Sequence, residues 1–218
     1  MLQEWPDALH VALLRNLGGP QHVEGYLWPY ASLCRSCAAA TAAPALWREV
    51  DLGVGRGGGL RAAAALSAAE LLGLLRRHGR GVVERLCLNG LEVVDDGVVR
   101  GIAELFADGP LRALDVGNCC QVTGAALPSL GRVATLQELG AACNTTLEDR
   151  HIAVLCERCP GLVRLDVRFC EWLADASVLT RRRGAWAALQ LDGCFRLEAS
   201  QLLRSAASAA AAPAPPSA

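Results

Sequence analysis

The nine-residue pattern L-x-x-L-x-L-x-x-C recurs along the chain, and no other feature limits its fold so tightly. It is met at Leu162, Leu165, Val167 and Cys170, at Leu111, Leu114, Val116 and Cys119, and at Trp186, Leu189, Leu191 and Cys194. Weaker copies run through Val83, Leu86, Leu88 and Leu91, and through Leu136, Leu139, Ala141 and Asn144. The copies start at 83, 111, 136, 162 and 186, so the period is 28, 25, 26 and 24 residues. The spacing within a copy is neither helical nor alternating throughout. Its inner x-L-x-L-x has the period of two that belongs to a strand. The outer residues belong to the bends into and out of it. One such strand cannot bury its apolar side alone, so successive copies must stack in parallel around a shared core. The x positions then face outward. The ninth position lies in a corner, where Cys or Asn can meet backbone groups of a neighbouring turn. Cys119, Cys170 and Cys194 are therefore read as structural.

The rest of each unit should be helical. Residues 93–109 carry Val98, Val99, Ile102 and Leu105 near helical spacing, with a glycine stop. Residues 146–161 carry Leu147, Ile152, Leu155, Cys156 and Cys159, with Thr146 or Asp149 as N-cap and a Pro-Gly stop. Residues 66–79 read the same way, after a strand at Val50-Asp51-Leu52. About six units result. Ala141 and Asn144 are smaller or more polar than their counterparts, which predicts looser packing in that copy. The Gly-rich stretch 53–59 lacks the Lys-Ser/Thr ending of a phosphate loop and is read as a loop.

These repeats resemble the cysteine-containing class of leucine-rich repeats. The Leu spacing, the ninth-position Cys and the Leu173-Ala174-Asp175 tail carry the resemblance. It implies an α/β fold: a short right-handed solenoid across residues 49–204.

Ahead of the repeats, residues 4–19 read as a short amphipathic helix. Pro6 and Asp7 suit its first turn, Leu9, Leu13, Leu14 and Leu17 form its stripe, and Gly18-Gly19 end it. A second helix is expected over 31–42. Trp5-Pro6-Asp7-Ala8-Leu9, then Leu33-Cys34-Arg35-Ser36-Cys37, then Ala45-Leu46-Trp47-Arg48 resemble an F-box in their order, with Trp5 for the usual Leu and Cys37 for the usual Trp. The resemblance makes 4–48 a small helical F-box-like segment. It implies docking on a Skp-type adaptor of a cullin complex through Pro6, Leu9, Leu13, Leu33, Leu46 and Trp47. The chain would then be the substrate-recognition subunit of a cullin–RING ubiquitin ligase. The alternative is a repeat scaffold without a ubiquitin role, its first helices capping the core. The Ala/Pro/Ser tail 205–218 cannot pack a core and should be disordered.

Composition narrows the function further. The chain has 218 residues, a formal net charge of −1 and no lysine, so its basic side chains are all arginine. That balance leaves no nucleic-acid footprint. No apolar run is long enough to span a membrane, and the N-terminus has no secretory pattern. The ten cysteines are then expected as reduced thiols in cytosol or nucleus. Two Cys-x-x-Cys pairs, Cys34/Cys37 and Cys156/Cys159, are 119 and more residues apart and fall within predicted helices, so neither a metal nor another cofactor is expected. His10, His22, His78 and His151 are scattered, and His151 with Asp149 reads as a helix-surface pair. No catalytic constellation is found.

With the register set, the outward ladder can be read: Arg164, Asp166 and Arg168 line up beside Phe169, with Asp115 and Gln190 flanking. Arginine and aromatic residues are enriched in binding hot spots, so these six are the expected contacts of an unknown protein substrate. Asp51, Asp115 and Asp166 share one column and would repel unless Arg85 and Arg164 stand between them.

Overall fold

The computed structural model describes residues 46–54, 66–180 and 185–197. The expected adaptor contacts Pro6, Leu9, Leu13 and Leu33, the Cys34/Cys37 pair, most of the Gly-rich loop and the tail 205–218 lie outside the described residues.

Six strands of three residues form the sheet: β1 (Glu49–Asp51), β2 (Arg85–Cys87), β3 (Ala113–Asp115), β4 (Glu138–Gly140), β5 (Arg164–Asp166) and β6 (Ala188–Gln190). They pair in parallel and in chain order. The register places Val50, Leu86, Leu114, Leu139, Leu165 and Leu189 opposite one another in turn. The first five are buried and Leu189, on the end strand, is half-buried. The stacking expected of the repeats is therefore present. A second apolar row follows each strand, with Leu52, Leu88, Val116, Ala141 and Val167 all in the core.

Hydrogen bonding between coils continues past the strands. Leu88 and Gly90 donate N–H to the carbonyls of Asp115 and Gly117, Val116 and Asn118 to Gly140 and Ala142, and Ala141 and Cys143 to Asp166 and Arg168, all at 2.8–2.9 Å. The corner thiols add a rung. Cys119 Sγ donates to the Leu88 carbonyl at 3.2 Å, Cys170 to Ala141 at 3.4 Å and Cys194 to Val167 at 3.0 Å. Each acceptor follows the strand of the preceding coil. Asn144 fills the same corner but reaches the Val122 carbonyl, at 2.8 Å. Ala141 is buried and Asn144 is only 7% exposed, so this copy is buried like its neighbours.

Helices form the opposite layer. α1 (Ala68–Leu74) starts with a capping box between Ser67 and Glu70 and ends in a π-helical turn, Leu75–Gly79. α2 (Asp96–Leu105) lies inside the expected span 93–109 and starts at Asp96, because the Asp95 carboxylate accepts the Val98 N–H at 2.8 Å and fixes the first turn. A 3₁₀ helix, Leu127–Arg132, serves the third coil, then α3 (Asp149–Arg158) and the single turn α4 (Ser177–Thr180). Neighbours in this series pack side by side.

The start of α3 corrects two expectations. Neither Thr146 nor Asp149 caps it; Glu148 is the N-cap residue. Thr146 Oγ1 accepts the Gly124 N–H at 2.9 Å, and Asp149 Oδ1 accepts the N–H groups of Ala174 and Asp175 at 3.1 Å. Both side chains tie adjoining coils instead. His151 does not pair with Asp149: its Nδ1 accepts the Glu148 N–H at 3.1 Å, closing the first turn. Among the described residues, no helix is long and apolar enough to cross a membrane.

Leu165 sits at the centre of the apolar spine, 2% exposed. Leu165→Ala is expected to lower the unfolding free energy by about 2–5 kcal/mol, the usual cost of a leucine-sized cavity, measured by urea denaturation.

Candidate protein-binding surface

The outward side chains of the six strands line one open groove of about 1200 Å³. Three rows cross it. Glu49, Arg85, Ala113, Glu138, Arg164 and Ala188 form the first, and Asp51, Cys87, Asp115, Gly140, Asp166 and Gln190 the second. A third row, Gly53, Asn89, Gly117, Ala142, Arg168 and Asp192, lies two residues on, and of it Gly53, Asn89, Ala142 and Arg168 line the groove. Five of the expected substrate contacts, Asp115, Arg164, Asp166, Arg168 and Gln190, thus share one wall. Phe169 lies in the turn just beyond β5, 52% exposed.

The aspartate column is relieved differently from the sequence expectation. Arg85 and Arg164 do not stand between the aspartates. Both converge on Glu138, at 2.8 and 3.3 Å. Arg85 reaches over β3 to do so, because only the methyl of Ala113 lies between. The aspartates are held locally: Asp51, Asp115 and Asp166 each accept the N–H two residues on, at 3.0, 2.8 and 3.1 Å. Asp115 also accepts the Asn89 amide at 3.3–3.4 Å. Asp166 takes the Arg168 guanidinium on both oxygens, at 2.9 and 2.8 Å, a bidentate pair that holds Arg168 firmly charged. Asp115 fits flat against the sheet because residue 140 is glycine; a Cβ there would stand 2.5 Å from Asp115 Oδ1.

Thiol chemistry is suppressed here. Burial pushes Cys87, under Asp115 and Asp51, up to about 12. Burial likewise raises Cys119 to about 11 and Cys170 and Cys159 to about 12. A thiolate nucleophile needs the opposite shift. Among the described residues, no group of three or more His, Cys, Asp or Glu is placed to hold a metal ion.

Two expected adaptor contacts are also placed. Leu46 and Trp47 are 2% and 3% exposed, turned into the core beside the first strand. The sequence reading missed Trp172, Phe195 and Arg196, although a signal existed: Trp172 and Arg196 lie one period apart, each two residues past a corner cysteine.

No family model and no curated protein matches the sequence. Among solved structures the chain is similar to "Leiomodin-1 Actin-Binding Site 2 (ABS2)", at 15% identity and a TM-score of 0.44, over 66% of this chain and 78% of that one.

Two outcomes follow from this geometry. Gly140→Ala is expected to cost about 1–3 kcal/mol by overpacking. Adding Asp115→Ala should restore part of that loss, which a double-mutant cycle by urea denaturation measures. Iodoacetamide at pH 8, read by peptide mapping, should modify exposed Cys120 while Cys119, Cys170 and Cys194 react only on unfolding.

Proposed function

We propose that the chain is a leucine-rich repeat solenoid acting as the substrate-recognition subunit of a cullin–RING ubiquitin ligase. The observation that carries the recognition role is the ladder itself. Polar side chains stand in fixed register on a continuous leucine spine, and an open groove runs across them. Such a wall is preorganised, so a partner that fits it does not pay to order it. The ligase role rests on the F-box resemblance of residues 4–48. Pro6, Leu9, Leu13 and Leu33 would meet the Skp-type adaptor. Leu46 and Trp47, packed in the core, would join that segment to the first coil. The chain would make no bond itself. It would hold a substrate lysine near the charged conjugating enzyme, raising effective concentration. Burial of Leu46 and Trp47 equally favours a second reading, in which the N-terminal segment caps an interaction scaffold that has no ubiquitin role.

Pull-down with a purified Skp-type adaptor separates the two. Wild type should capture the adaptor and Leu9→Asp should lose it with the circular dichroism spectrum unchanged. Equal capture by a folded Leu9→Asp, or no capture by wild type, rejects the ligase reading. On the groove, Gln190→Arg, which places a cation on an exposed position of the wall, should abolish capture of substrate from extract while adaptor binding persists.

A further inference from the structure

One column of the fold holds its backbone in the left-handed region. Gly90, Asn118, Cys143, Phe169 and Gly193 each precede the corner position of their coil, with φ of 74°, 55°, 59°, 58° and 77°. Gly and Asn are the residues that tolerate this conformation. A bulky side chain there is an outlier that packing must justify. Packing justifies Phe169 only in part, because it is 52% exposed. Its ring lies over Gly193, where a Cβ would collide with it. Its N–H donates to the Asp192 carbonyl at 2.9 Å, which seats it beside the ladder. Trp172 and Phe195, in the turns after β5 and β6, are 54% and 84% exposed. Three large aromatic residues thus stand in solvent along the adjoining turns that follow β5 and β6, the last two strands of the described sheet. Exposed aromatic groups gathered at one place mark interaction sites.

Charge selects the occupant. The three rows of the ladder carry six carboxylates, Glu49, Asp51, Asp115, Glu138, Asp166 and Asp192, against three guanidiniums, leaving three negative charges in excess. All three guanidiniums are already engaged: Arg85 and Arg164 by Glu138, and Arg168 by Asp166. No ion pair among the described residues involves Asp115 or Asp192. The rings themselves accept guanidinium groups, since Arg196 stacks on Trp172 at 5.2 Å from the ring centre.

We propose that the ledge of Phe169, Trp172 and Phe195 docks an extended, arginine-bearing apolar segment of a protein partner. Its cationic side chains would face Asp115 and Asp192. This deepens the recognition role proposed above by naming the chemistry of the partner, and it rests on the groove being a protein-binding surface.

The probe is a fluorescent twelve-residue peptide of alternating Arg and Leu, with Glu-Leu and Arg-Gly peptides of equal length as controls, titrated with the full chain by fluorescence anisotropy. Arg-Leu should bind saturably and weaken with salt, while Glu-Leu should not bind and Arg-Gly should bind less well. Phe169→Asn places the residue found at 118 into the same backbone. It should keep or raise the melting temperature yet weaken Arg-Leu binding by about tenfold or more, the effect of losing a hot spot. Trp172→Ala and Asp192→Asn should weaken it as well. Absence of saturable Arg-Leu binding, equal binding of Glu-Leu, or an unchanged affinity in Phe169→Asn overturns the proposal. So does concentration-dependent dimerisation that Phe169→Asn abolishes, which would make a second copy the occupant. If these arms fail while Gln190→Arg still abolishes capture from extract, the partner chemistry alone is wrong. If both fail, the groove reading falls too.

Discussion

Everything in this protein depends on the backbone of one coil donating, in register, to the backbone of the next. The ladder does not stop at the three-residue strands. It runs through the residue after each strand and into the left-handed turn, so five consecutive coils share one geometry. Short strands of this kind could not hold together alone, because each contributes only one or two leucines to the core. Stacked, those leucines form a continuous apolar spine, and burial of that spine fixes the register: a slip by one residue would turn every leucine to solvent. The corner thiols fit the same scheme. Their weak donors add bonds to carbonyls of the preceding coil, and burial keeps them protonated for that task.

The polar face inherits its order from this spine. Because the backbone sets every outward Cβ at one rung spacing, like side chains come into columns, and each column needs its own means of avoiding repulsion. The aspartates are calmed by the nearest backbone N–H. Glu138 instead gathers two arginines from either side, one reaching over an alanine. Small residues at Ala113, Gly117 and Gly140 are therefore part of the electrostatics: they leave room for longer charged groups to lie flat. The groove is a consequence of stacking, and its chemistry is written by the residues between the leucines.

Much of this was legible in the sequence, and for a physical reason. A repeat multiplies a weak local signal. No single L-x-x-L-x-L-x-x-C is decisive, but five at nearly constant spacing fix both the neighbours and the register, and hence which side chains share a wall. What was not legible needed distances. Asp149 and Thr146 look like helix caps in one dimension, yet Thr146 serves the preceding coil and Asp149 the following one, 22 to 26 residues away. Arg85 looks placed to separate aspartates, but its length carries it across a strand to Glu138. Leu46 and Trp47 are implied as adaptor contacts by the F-box resemblance, but whether an apolar motif faces a partner or the core is not written in its pattern, and both are buried. The aromatic ledge escaped notice because Trp172 and Phe195 fall in turns, where hydrophobic periodicity has nothing to say.

The in-register ladder has a mechanical consequence. A coil's backbone bonds to the rest of the sheet go to the coil before it and the coil after it, and β6, at one end of the described sheet, has a strand on one side only. Tension applied from that end would peel the structure like a zip, releasing about 25 residues of slack at each step rather than shearing the whole sheet at once.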